Sequence, residues 1–143
     1  MPSKIVKAVI HNLKYDTFCR LRPDAYGGVG VFSVKDIPIN TNPFKYGTGI
    51  CPIKTVNIPD RVVKTLDPEV QKMITDFYVL EDDGMWCIPK LSLNGNDISF
   101  YINTSKTPNV RIINVKKCDM MIFKTMRPII KGEELFINYD EYK

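Results

Sequence analysis

Histidine is nearly missing from this sequence: His11 is the single one in 143 residues. The four cysteines, Cys19, Cys51, Cys87 and Cys118, form neither a C-x-x-C pair nor a cluster with that histidine. A zinc site would have to gather its ligands from unrelated elements, so buried reduced thiols are expected and no metal. Long apolar runs are missing too. None approaches the roughly 20 residues of a membrane-spanning helix, and the opening Met1-Pro2-Ser3-Lys4-Ile5-Val6-Lys7 lacks the apolar core of a secretory signal. The expectation is a soluble, intracellular protein, cytoplasmic or nuclear, with no membrane partner. Its 20 basic and 16 acidic residues leave a net charge of only +4. They are scattered, and no arginine-rich patch with interleaved aromatics marks a surface for nucleic acid.

Repeats, low-complexity segments and linkers are absent as well. With 44% hydrophobic residues over 143 positions, the composition suits one core and one domain covering residues 1–143. Residues 5–10 and 14–21 read as two short strands around His11-Asn12, and Pro23-Asp24-Ala25-Tyr26-Gly27-Gly28 as a turn before a β-branched run at 29–34. Pro38, Pro43, Pro52 and Pro59 make the following region short strands and irregular loops, since proline cannot donate to a central ladder.

A helix begins at Asp67-Pro68-Glu69: aspartate caps free amides, proline suits the first helical position, and Val70, Met73, Ile74 and Phe77 share one face. Residues 61–66 suggest a shorter helical turn. Glu81-Asp82-Asp83-Gly84 reads as a hairpin turn between strands at 77–80 and 85–88. An apolar run at 98–102 and strands at 110–115 and 120–125, joined by Lys116-Lys117-Cys118-Asp119, complete a mostly β domain.

Three stretches could carry chemistry. Gly27-Gly28-Val29-Gly30 is either a tight turn entering a strand or a place where bare backbone meets a ligand. It is not a dinucleotide fingerprint, because a strand pattern follows it instead of a helix. Asn103-Thr104-Ser105 with Pro108-Asn109 is either ordinary loop chemistry or a loop held against the core between apolar segments. In the alternating run Leu135 to Tyr139, a short strand brings a tyrosine to its end. Tyr139 is then a core tyrosine with a satisfied hydroxyl or a catalytic one.

Taken together and in order, these stretches resemble a known family. Gly28-Val29-Gly30-Val31-Phe32 with Asp36-Ile37-Pro38, F-Y-I-N-T-S-K-T-P-N at 100–109 and G-E-E-L-F-I-N-Y at 132–139 resemble the signature motifs of SET-domain protein lysine methyltransferases. Those motifs read roughly GxGVF, RFxNHSxxPN and GEELxxxY. The resemblance implies a β-clip of several small sheets with one short helical insert and a C-terminal pseudoknot, residues 41–95 being the variable insert. It also implies transfer of a methyl group from S-adenosylmethionine to a lysine side-chain amine of a protein, a histone tail being one candidate.

Residue by residue, the resemblance places Gly28, Val29 and Gly30 against the methionine part of the cofactor. Asn103 and the backbone of Thr104 fall on its adenine and ribose side, and Tyr139 at the methyl-transfer site. Tyr101, Ile137 and Tyr142 are candidates for the substrate channel, with Trp86 a further one that suits a core better. Thr104 stands where the family has histidine, Val29 where an aromatic is common, and Ile137 where Phe or Tyr influences the degree of methylation. Asp97, Asp140 and Glu141 suggest an acidic groove for a basic tail.

Few residues follow Tyr139 here, so the cysteine-rich zinc segment that closes the lysine channel in many relatives is not expected. In this the chain is similar to small stand-alone SET proteins of viruses and bacteria, for which a host nucleus is the expected site if the source is viral. Closure is expected either from a second subunit of a homodimer or from Tyr142 and the substrate peptide on binding. The alternative is a non-catalytic SET-like module that recognises a lysine-containing peptide in an aromatic cage.

Overall fold

A computed structural model describes residues 3–46, 55–113 and 121–142. Cys51, Pro52, Cys118 and the connection at 116–119 lie outside the described residues. In chain order the elements are α1 (Lys4–His11), β1 (Cys19–Pro23), β2 (Val29–Ser33), β3 (Thr55–Pro59), α2 (Asp60–Val63), α3 (Pro68–Phe77), β4 (Met85–Pro89), β5 (Asn103–Thr104), β6 (Val110–Ile113), β7 (Ile122–Thr125) and β8 (Glu134–Ile137). A π-type turn at Asn12–Asp16 and 3-10 turns at Ser92–Gly95, Ile98–Tyr101 and Tyr139–Tyr142 join them. Small sheets with few helices are what the sequence motifs imply. The chain divides into two compact units, Met1–Pro52 with Asp97–Lys143, and Ile53–Asn96.

The first unit is built on a four-stranded sheet in the order β1-β2-β8-β5, with β6 and β7 pairing separately. β8 lies between β2, antiparallel with Val31 opposite Leu135, and β5, parallel with Asn103 opposite Phe136 and Thr104 opposite Ile137. Its inward residues Leu135 and Ile137 join Val31, Ile37, Val110 and Ile129 in the core. Asn109 sits among these apolar groups at 4% exposure because the β8 backbone satisfies it. Its Nδ2 donates to Glu134 O at 2.9 Å, and Phe136 N donates to its Oδ1 at 2.8 Å.

Two expected strands in this unit differ, one wholly and one in part. Residues 5–10 belong to α1, where Ser3 Oγ accepts from Val6 N at 3.2 Å. Apolar residues at 5, 6, 9, 10 and 13 recur at helical spacing, which together with the cap outweighs the β preference of Ile and Val. The second expected strand, 14–21, is split between the π-type turn and β1. Residues 98–101 form a 3-10 turn instead of a strand because Asp97 caps it, its Oδ1 accepting from Ser99 N at 2.9 Å.

In the second unit β3 and β4 pair antiparallel from Thr55–Pro89 to Pro59–Met85. The turn at 81–84 forms as its sequence predicts, with Gly84 at φ +78° and Glu81 N donating to Met85 O. Its expected first arm, 77–80, is no strand: α3 runs through Phe77, and Leu80 makes a single bridge to Trp86. β4 finds its full partner in β3 instead. α3 starts where expected, with Asp67 accepting from Glu69 N at 2.8 Å and Pro68 in the first turn. α2 occupies the region of the shorter helical turn. Val63, Ile74, Trp86 and Ile88 form this unit's core.

Candidate active site

The β1–β2 connection folds around one carboxylate. Asp24 Oδ1 accepts from Tyr26 N at 2.9 Å and from Gly28 N at 2.8 Å, and Asp24 N donates to Gly28 O at 3.0 Å. These backbone amides hold the Asp24 carboxyl below the usual carboxylate range. Its other oxygen, Oδ2, accepts from Asn103 Nδ2 at 3.1 Å. The same Nδ2 lies 3.2 Å from Val29 O and 3.0 Å from Glu134 Oε2. Asn103 thus ties the glycine turn to β8 from its place on β5.

The bare backbone at the glycines makes room for these side chains. A Cβ on Gly30 would sit 2.7 Å from Glu134 Oε2 and 3.1 Å from Asn103 Nδ2. One on Gly28 would sit 3.1 Å from Asp24 Oδ2. Of the two readings of the glycine stretch, close approach is therefore needed first for the protein's own polar cluster.

Above the cluster lies a cavity of about 310 Å³ lined by Asp24, Tyr26, Asn103, Thr104, Glu134, Phe136 and Tyr139. Tyr139 stands just past the end of β8, opening the 3-10 turn, and is 42% exposed. Its amide donates to Thr104 Oγ1 at 3.0 Å and its hydroxyl donates to Ile102 O. Partial burial pushes the phenol above its ordinary value, so Tyr139 is neutral at physiological pH.

Asn103, Thr104 and Tyr139 therefore share one cavity, and Gly28, Val29 and Gly30 frame it through Asp24 and Asn103. The other candidates lie elsewhere. Ile137 is buried in the core at 6% exposure, and Tyr101 and Tyr142 pack against that core. Tyr142 Oη accepts from Ile112 N at 2.9 Å, so its ring is anchored and not frayed. Trp86 is buried in the second unit, its Nε1 donating to Asp60 Oδ1 at 3.0 Å. Asp97 lines a separate cavity of about 230 Å³, where Tyr46 Oη donates to its Oδ2 at 3.4 Å, and Asp140 and Glu141 are exposed in the turn after β8.

Asp24, Glu134 and Phe136 were not among the sequence candidates. Glu134 and Phe136 lie inside the last motif, and Asp24 stands four residues before Gly28, the spacing of a side chain that caps its own turn. Cys19 is buried, which pushes its thiol up to about 12 and makes it unreactive. Among the described residues no three His, Cys, Asp or Glu side chains gather as metal ligands.

The family model for the SET domain matches residues 28–140. No curated protein matches the chain. The fold is similar to the crystal structure of a Plasmodium falciparum protein provisionally named a histone methyltransferase. The two superpose with a TM-score of 0.55 over 86% of this chain and 93% of that one, at 21% sequence identity. At that identity the likeness speaks for the fold alone.

Proposed function

The chain belongs to the SET domain family, and from that premise we propose that it is a protein-lysine N-methyltransferase that uses S-adenosylmethionine. The observation that carries this reading is the cavity itself: Asn103, Thr104 and Tyr139, supplied by two motifs far apart in sequence, line one space together. Its volume of about 310 Å³ lies within the range of small-molecule sites. Among the described residues its lining has two carboxylates, Asp24 and Glu134, and no basic side chain, which suits a ligand bearing positive charge.

The bound cofactor supplies an activated methyl group on a sulfonium. The substrate lysine must first lose a proton, since with a pKa near 10.4 well under 1% is neutral at pH 7. Held against Asn103, Thr104 and Tyr139, the cofactor would supply its methyl carbon to the neutral amine nitrogen, the electron pair of the broken carbon–sulfur bond leaving on sulfur as a neutral thioether. Tyr139 is no base for the deprotonation, because its own phenol is neutral and its hydroxyl hydrogen is committed to Ile102 O. The proton goes to water. What the Tyr139 oxygen offers is lone pairs, which accept from the incoming amine and favour the cationic reaction centre. Thr104 holds the Tyr139 backbone, a task its side chain performs where the family has histidine.

Titration calorimetry with S-adenosylmethionine, followed by incubation with methyl-labelled cofactor and a panel of basic proteins that includes histones, tests this. Binding and label on lysine are expected. Absence of cofactor binding overturns the reading, and binding without transfer to any protein in the panel favours the non-catalytic module.

A further inference from the structure

We propose that Asp24 is a positioning residue that sets which way round the Asn103 carboxamide faces the cavity, a role that rests on reading this cavity as the S-adenosylmethionine site. A carboxamide has one end that donates and one that accepts, and the two have nearly the same shape. Only its neighbours decide between the orientations. Around the Asn103 nitrogen stand three groups that can only accept here: Asp24 Oδ2 at 3.1 Å, Val29 O at 3.2 Å and Glu134 Oε2 at 3.0 Å. They select the NH₂ end and turn Oδ1 away from themselves. Asn103 therefore offers its ligand an acceptor, and the part of the ligand it meets must be a donor.

Among the three acceptors Asp24 has a distinct place. Val29 O is fixed by the backbone of β2, and Glu134 is carried on β8. Asp24 is the one whose second oxygen also builds the turn, through Tyr26 N and Gly28 N. Turn and carboxamide are thereby set by the same planar group, and neither can shift without the other.

An isosteric substitution separates these roles. In Asp24→Asn the Oδ1 atom can still accept from the amides of Tyr26 and Gly28, so the turn survives. Its NH₂ would then face the NH₂ of Asn103. Turning the Asn103 amide over relieves that pair only by setting its oxygen against Val29 O and Glu134 Oε2. Both orientations are disfavoured, and the uniform presentation of Oδ1 is lost. Asp24→Ser serves as the second variant: its shorter side chain can cap the turn but leaves Asn103 without this acceptor.

The test is a double-mutant cycle read by calorimetry with S-adenosylmethionine on the full chain, with Asp24→Asn, Asp24→Ser, Asn103→Ala and the combinations. The expected result is an Asp24→Asn chain that stays folded with a slightly lowered thermal midpoint and a Kd raised about tenfold, roughly 1.4 kcal/mol. Adding Asp24→Asn to Asn103→Ala should then cost clearly less than Asp24→Asn does alone, the remainder being the loss of one carboxylate charge from the cavity lining. The KM for S-adenosylmethionine should rise while kcat at saturation changes little. In the protein alone, the side-chain amide resonances of Asn103 should shift in Asp24→Asn.

Wild-type affinity in Asp24→Asn, or effects that add fully in the double variant, would overturn the positioning role while leaving the cofactor site in place. If Asp24→Asn unfolds, the same comparison is made with Asp24→Ser. Failure of the wild-type chain to bind S-adenosylmethionine would remove the cofactor reading and this proposal with it.

Discussion

The two compact units are held together in different ways. In the unit that carries the cavity, buried polar side chains bridge segments far apart in sequence. Ser33 Oγ donates to Ile130 O at 2.8 Å, 97 residues away; Thr125 Oγ1 donates to Pro38 O at 2.7 Å and accepts from Thr41 N at 3.0 Å. Ser33 and Thr125 are at most 1% exposed. In the Ile53–Asn96 unit the polar contacts are mostly local: Asp67 caps its own helix, and Lys72 with Asp76 and Lys64 with Asp60 are pairs four residues apart. A local contact favours an element wherever the element lies. A buried polar bridge between distant segments is satisfied in one arrangement only, because mispairing leaves it unbonded. The site lies in the unit whose geometry is specified in this stricter way.

The sharpest way to break this contrast is at the centre of the first unit. Leu135→Ala, at a fully buried position on β8, should lower stability by about 2–5 kcal/mol, read as a shifted urea midpoint, and should abolish cofactor binding in the unfolded fraction. Next in size is Tyr139→Phe, which should leave the urea midpoint within about 1 kcal/mol of wild type while methyl transfer falls about 100-fold. Retained turnover in a single-turnover assay would dismiss Tyr139 as the positioning group for the amine.

Asn103→Ala should weaken S-adenosylmethionine binding about tenfold, because Asp24 and Glu134 lose a shared donor. Asp67→Ala in the other unit should cost about 1 kcal/mol through loss of a helix cap and leave cofactor affinity untouched. Any effect on calorimetric affinity would show that the units are energetically coupled.

The smallest effect concerns pH. Lys64 and the Trp86 indole hold the Asp60 carboxyl below its ordinary value. A carboxyl with a lowered folded pKa contributes stability above its unfolded value, about 4, and loses that contribution as pH falls through the folded value. The stability gap between wild type and Asp60→Asn should accordingly be full at neutral pH and close below pH about 4, as urea midpoints against pH would record.

How much of this was legible depended on how local each signal is. The start of α3 could be read from Asp67-Pro68 because cap and first turn are adjacent. The motif residues Asn103, Thr104 and Tyr139 could be read as one site through the family resemblance, and they meet in one cavity. α1 is not legible from propensity, because its Ile and Val residues favour strands and only the Ser3 cap and the three- and four-residue spacing of its apolar positions favour the helix. The partner of β4 was missed because an adjacent turn suggests an adjacent strand, whereas β3 is drawn from before two helices. Asp24 was legible as a turn residue and no more: the partner of its second oxygen stands 79 positions away, and no pattern around residue 24 encodes it.

The central place of β8 also sets an order in time. A strand hydrogen-bonded on one edge to residues near 31 and on the other to residues near 103, with Asn109 gripping its backbone, is a keystone fitted last. Nearly the whole length of the chain must be gathered before its contacts repay the closure of those loops. On the ribosome, the glycine turn and the asparagine loop will have emerged well before residue 134, and until then the Asn103 carboxamide that joins them lacks its third acceptor, Glu134. Glu134, Phe136 and Tyr139, three of the side chains that line the cavity, come with β8 and the residues just past it, so a nascent chain has no closed cavity until that strand arrives.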